Sequence, residues 1–134
     1  MAAKRISVMI IDDDKHERFF FRKAIHAMGP PYECLEAVNG WDALNQLRDA
    51  DALPDYIFLD MEMPIIDGRE CLAEIKRQDK LRHIPIIIIS GWNDPVAEKM
   101  IKQLGADSYV HKTSDIGQLS QEILSVIKRV RNTI

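Results

Sequence analysis

The chain has 134 residues, the size of one compact domain, and its 46% hydrophobic and 29% charged content excludes a disordered chain. Its net charge of -3 at pH 7 gives no electrostatic reason to expect nucleic acid or an anionic membrane as partner. No window approaches the roughly 20 apolar residues of a membrane span, and no signal-type apolar segment follows Met1 to Arg5. Cys34 and Cys71 lack metal-type or Cys-x-x-Cys spacing, so a cytoplasmic protein with reduced thiols is expected.

Short apolar runs alternate with amphipathic stretches. Ile6 to Ile11 reads as a strand and Lys15 to Met28 as a helix closed by Gly29, Pro30 and Pro31. Tyr32 to Val38 is a second strand, and Gly40 to Ala50 a helix ended before Pro54. Tyr56 to Leu59 is followed by a helix over Gly68 to Gln78, and Ile86 to Ile89 by one over Pro95 to Leu104, closed by Gly105. Ser108 to Val110 is the fifth strand, and Asp115 to Arg131 the last helix, whose basic end complements its dipole. Five such alternations predict an α/β fold with a parallel sheet. The continuous runs Val8 to Ile11 and Ile86 to Ile89 suit strands covered by helices on both faces. One domain over residues 1–134 is expected, without an output domain.

Ligands of such sheets bind outside the carboxyl ends of the strands. Asp12, Asp13 and Asp14 follow strand one, Asp60 ends strand three, Ser90 ends strand four and Lys112 follows strand five. One sheet edge therefore collects at least three carboxylates, a hydroxyl and an ammonium. Carboxylates a few ångströms apart repel unless a proton or cation intervenes. Hard oxygen ligands with room for water suit Mg2+. An aspartate can also be a nucleophile that forms an aspartyl-phosphate, leaving the protein to position groups and neutralise charge. Asp14 to Glu17 has capping-box spacing, and Asp14 is assigned mainly to capping.

The chain resembles the receiver domains of two-component response regulators. Val8-Met9-Ile10-Ile11-Asp12-Asp13 is similar to that family's first strand and acidic pair. Phe58 to Pro64 with Asp67-Gly68 resembles its phosphoacceptor segment, Ile88 to Gly91 its fourth strand and Gly105 to Lys112 its fifth. The resemblance implies a flavodoxin-like doubly wound (βα)5 three-layer sandwich of strand order 2-1-3-4-5. It implies a phosphoacceptor switch rather than an enzyme acting on other substrates. Asp60 would accept the phosphoryl group from a phosphohistidine. Mg2+ would be held by Asp12, Asp13, Asp60 and the Glu62 carbonyl. Lys112 and Ser90 would contact phosphoryl oxygens, with Gly91 leaving room. Tyr109 would change rotamer as Ser90 moves. Glu62 and Trp92 would tune hydrolysis, the Trp92 indole shielding the phosphoryl group or anchoring a partner. The implied output surface is the helix over Pro95 to Leu104, strand five and the last helix. The implied partners are a sensor histidine kinase or phosphotransfer protein and an unidentified downstream protein, with the chain a monomer or weak homodimer.

The family usually has proline after its lysine, where this chain has Thr113. A cis bond there would cost about 2.5–4 kcal/mol, so a trans Lys112–Thr113 bond is expected. Phe20, Phe21, Ala24, Ile25 and Met28 form an apolar stripe on the first helix. Phe19 falls off it beside Lys15, Arg18 and Arg22, as an isolated surface residue or a docking point for the phosphodonor. His16, His26, His83 and His111 are scattered surface residues by default, with His111 beside Lys112 able to affect the site. Two other classes compete. A haloacid-dehalogenase-like phosphatase would need Asp where Glu62 stands. A phosphorylation-independent interaction module would have no use for the acidic pair and lysine.

Overall fold

The computed structural model describes residues 4–61, 68–91, 98–99 and 102–132. Its elements are β1 (Ile6–Ile11), α1 (Lys15–Met28), β2 (Tyr32–Ala37), α2 (Gly40–Asp49), β3 (Tyr56–Asp60), α3 (Gly68–Arg77), β4 (Ile86–Ser90), β5 (Ser108–His111) and α4, the last helix (Ile116–Asn132). Glu98, Lys99, Lys102 and Gln103 are helical, within the stretch predicted over Pro95 to Leu104.

All strand pairs are parallel, in the order β2-β1-β3-β4-β5. The period-2 alternation of β1, β3 and β4 sorts their side chains onto two faces. Met9, Ile11, Ile57, Leu59, Ile86 and Ile88 pack against Ala43 and Leu47 of α2 and Cys71, Leu72 and Ile75 of α3. Val8, Ile10, Phe58, Ile87 and Ile89 pack against Phe21, Ala24 and Ile25 of α1 and Leu119, Ile123 and Ile127 of α4. The result is the expected three-layer sandwich. Burial of each such side chain contributes about 1.5–3 kcal/mol, more than a cap at about 1 kcal/mol, so the two cores set the layers and the caps trim the helices.

Phe20 and Met28 are partly buried at the rim of the stripe, and Phe19 is 50% exposed. Cys34 is half-buried and Cys71 buried, both free thiols. Three strands run one residue past their predicted ends, to Asp60, Ser90 and His111, because the parallel ladder continues after the apolar run stops. No helix among the described residues is long and apolar enough to cross a membrane.

Candidate functional site at the carboxyl ends of the strands

The strand order reverses between β1 and β3, and the site lies at that switch point. The register pairs Ile11 with Leu59, so Asp12 leaves β1 beside Asp60 at the end of β3. One carboxylate oxygen from each of Asp12, Asp13 and Asp60 lies within 4.8 Å of the others. Asp13 is exposed, whereas Asp12 and Asp60 are each only 2% exposed. Buried carboxylates are costly unless paired.

The pairing comes from two directions. Lys112 donates from Nζ to Asp60 Oδ1 at 3.2 Å and to Glu17 Oε2 at 2.9 Å. The Glu17 carboxyl in turn hydrogen-bonds that of Asp12. Burial, the Glu17 bond and the Asp60 charge push the Asp12 carboxyl up to about 9, although the Asp14 N–H donating to it at 2.9 Å works the other way. Burial disfavours the Lys112 ammonium, but its bond to Glu17 and the charge of Asp60 outweigh this and raise its pKa. Three convergent hard oxygen donors, two of them buried, fit a small divalent cation such as Mg2+.

Lys112 is placed by its backbone as well. Its N–H donates to the Ser90 carbonyl at 2.8 Å, tying the end of β5 to the end of β4. The Lys112–Thr113 bond is trans, as its residue type favours. The Thr113 hydroxyl accepts from Asp115 N–H at 3.3 Å and bonds Gln118 Oε1 at 3.2 Å. Asp115 Oδ1 accepts the Gln118 N–H at 2.9 Å, capping α4. A polar network therefore fixes the loop where the family uses proline.

Ser90 is fully buried beside Asp60, and a Cβ added to Gly91 would meet nothing within 4 Å. Tyr109 is half-buried and packed on the α2–α3 core. His111 is half-buried, its Nε2 3.1 Å from the Gly91 carbonyl, while His16, His26 and His83 are exposed. Glu62 and Trp92 lie outside the described residues.

Asp14 caps α1 as expected, accepting from the N–H groups of His16 at 2.8 Å and Glu17 at 3.2 Å. The reciprocal half of the box does not form: the Glu17 side chain is drawn into the site. Glu17 was missed for that reason. The available signal was its place in the first turn of α1, above the same sheet edge as Asp12. Arg18, also missed, donates to the Asp12 carbonyl at 2.8 Å and pairs with Glu36 at 3.4 Å, pinning that turn. A cavity of about 250 Å3 opens beside it, lined by Asp12, Glu17, Phe20, Ile89, Lys112 and Leu119.

A doubly wound sheet with an acidic cluster and a lysine at its switch point defines the class. The comparisons narrow it. The response regulator receiver domain model matches residues 8–124, and the chain belongs to that family. The polar-differentiation response regulator DivK of Brucella anthropi is 33% identical over 121 residues, covering 90% of this chain and 95% of that protein. The phosphorylated cyanobacterial phytochrome response regulator RcpA superposes with a TM-score of 0.82 at 26% identity, over 98% of this chain and 97% of the other. Vibrio cholerae CheY4 shares the fold, with a TM-score of 0.80 at 24% identity over 95% and 99% of the two chains.

Proposed function

We propose that the protein is a phosphoacceptor switch, Asp60 being the acceptor. The observation that carries this reading is a buried Asp60 carboxylate 3.2 Å from the Lys112 ammonium and within reach of Asp12 and Asp13. An Asp60 oxygen attacks phosphorus. The P–N bond of the phosphohistidine breaks, its electron pair stays on the imidazole, and a P–O bond forms. Lys112 neutralises charge on the phosphoryl oxygens, and the Ser90 hydroxyl turns toward them. Asp12, Asp13 and Asp60 would hold Mg2+. When bound, the cation supplies charge neutralisation for the phosphoryl oxygens. The match to response regulators and the phosphorylated state named for RcpA support the reading.

The donor is a sensor histidine kinase or phosphotransfer protein meeting α1, on which Phe19 is exposed. Movement of Ser90 and Tyr109 then alters the surface formed by β5, α4 and the helix before β5. A downstream protein reads that change in the cytoplasm.

The test is labelling by phosphoramidate or acetyl phosphate in Mg2+, read by intact mass. The wild type gains one phosphoryl group and Asp60→Asn gains none. An unlabelled wild type would leave the phosphorylation-independent module as the better reading.

A further inference from the structure

Glu17 is placed where the phosphoacceptor reading gives it no role. It is the third residue of α1, and in a capping box its carboxylate would return to the Asp14 N–H. That N–H instead donates to Asp12 Oδ1. The Glu17 side chain crosses to Lys112, 95 positions along the chain. Its contact with the ammonium, 2.9 Å, is shorter than the 3.2 Å contact to Asp60. Asp12, Glu17, Lys112 and Asp60 thus form one continuous chain of polar contacts.

The bond is held in place by the backbone on both sides. Arg18 ties the first turn of α1 to the Asp12 carbonyl, and the Lys112 N–H ties its own strand end to Ser90. Lys112 is 21% exposed, whereas Glu17 is 41% exposed, so the pair is partly open to solvent on the Glu17 side.

We infer that Glu17 is a positioning residue that holds Lys112 as its counter-ion in the unphosphorylated protein and competes with the phosphoryl group for it. This rests on Asp60 being the acceptor. A phosphoryl group on Asp60 brings new anionic oxygens to the ammonium that Glu17 already engages. Two anions sharing one cation repel each other. The ammonium has a third donor for a phosphoryl oxygen, but using it brings that anion close to Glu17, so the two anions repel or the Glu17 bond loosens. Glu17 therefore acts as a brake, favouring the unphosphorylated state.

The experiment is titration with beryllofluoride, a non-covalent phosphoryl mimic, at saturating Mg2+. Glu17→Gln keeps size and hydrogen-bonding capacity while removing the charge. It should tighten the mimic by about threefold to fivefold, the scale of a part-exposed ion pair. In a Lys112→Ala background the same change should have no effect. In the Mg2+-free protein, the Lys112 ammonium NMR signal should shift in Glu17→Gln. A helix-capping role alone would lower thermal stability and would not tighten binding. An unchanged affinity in Glu17→Gln overturns the inference, as does an equal gain in the Lys112→Ala background. A wild type that small donors do not label removes the acceptor reading and the inference together. A labelled wild type with unchanged Glu17→Gln affinity removes the inference alone.

Discussion

Gly68, the first residue of α3, approaches Met61 so closely that an added Cβ would fall 2.6 Å from the Met61 Cα and 2.8 Å from the Asp60 carbonyl oxygen. Both are backbone atoms at the end of β3, which cannot swing aside as a side-chain tip can. Gly68→Ala should therefore destabilise by about 1–3 kcal/mol through overpacking, outweighing the ~1 kcal/mol helix preference of alanine. It should also slow phosphoramidate labelling, because relief of the clash moves Asp60. Thermal melts and labelling rates check this. A melting temperature equal to wild type would show that the start of α3 accommodates a Cβ without cost.

The acidic pair, Asp60, Ser90 and Lys112 were legible because a parallel sheet puts its strand ends on one edge whatever the details of packing. Glu17 and Gly68 were not. The spacing from Asp14 to Glu17 specifies a local backbone bond, and only the tertiary position of Lys112 shows that a stronger partner captures the side chain. Gly68 carries no positive φ; Asp67-Gly68 reads as a turn, and the need for glycine there arises from the close approach of the start of α3 to Met61 and the Asp60 carbonyl. Thr113 was legible as a departure, but its compensation was not. That compensation depends on Gln118 and Asp115 lying in one turn of chain, which is fixed only once α4 begins.

Both thiols should be inert in the native protein. Burial pushes Cys71 up to about 12, and burial with the Glu36 charge does the same for Cys34. At pH 8.5 iodoacetamide should modify either residue about tenfold or more slowly than in urea, since the thiolate is the nucleophile. The sign for stability follows from pKa values raised above the ordinary 9.0. The contribution is complete below pH 9 and is lost as pH rises toward 12. Denaturant midpoints that rise over that window would contradict it.

Three carboxylates with oxygens within 4.8 Å should make the fold responsive to Mg2+. At tenfold above its dissociation constant, a cation that binds the folded state alone adds about 1.4 kcal/mol. Melts in Mg2+ and in EDTA should differ accordingly. Asp13→Asn removes the exposed carboxylate, so the variant should be more stable than wild type in EDTA and gain less from Mg2+. An equal Mg2+ gain in the two proteins would place the cation elsewhere.

The loop after Lys112 should depend on the Thr113 hydroxyl, which bonds both Asp115 N–H and Gln118 Oε1. Thr113→Val preserves shape and removes both bonds, at about 0.5–1.5 kcal/mol each. The melting temperature should fall and labelling should slow modestly as Lys112 loses its anchor. Thr113→Ser should retain most of both. If Val and Ser variants melt alike, the hydroxyl is not what holds the loop.

Phe19 is 50% exposed, with the Arg22 guanidinium 5.4 Å and the Lys23 ammonium 5.3 Å from its ring centroid. Its truncation removes little buried surface, so Phe19→Ala should melt within about 0.5 kcal/mol of wild type. Small phosphodonors need no contact with α1, so phosphoramidate labelling should also be unchanged. A phosphohistidine-bearing protein domain does need such contact if it approaches along α1. Loss of a central aromatic anchor typically costs more than 1 kcal/mol, and transfer from such a domain should fall about tenfold. Equal losses with both kinds of donor would indicate damage to the site itself. Equal rates with the protein donor would move docking away from Phe19.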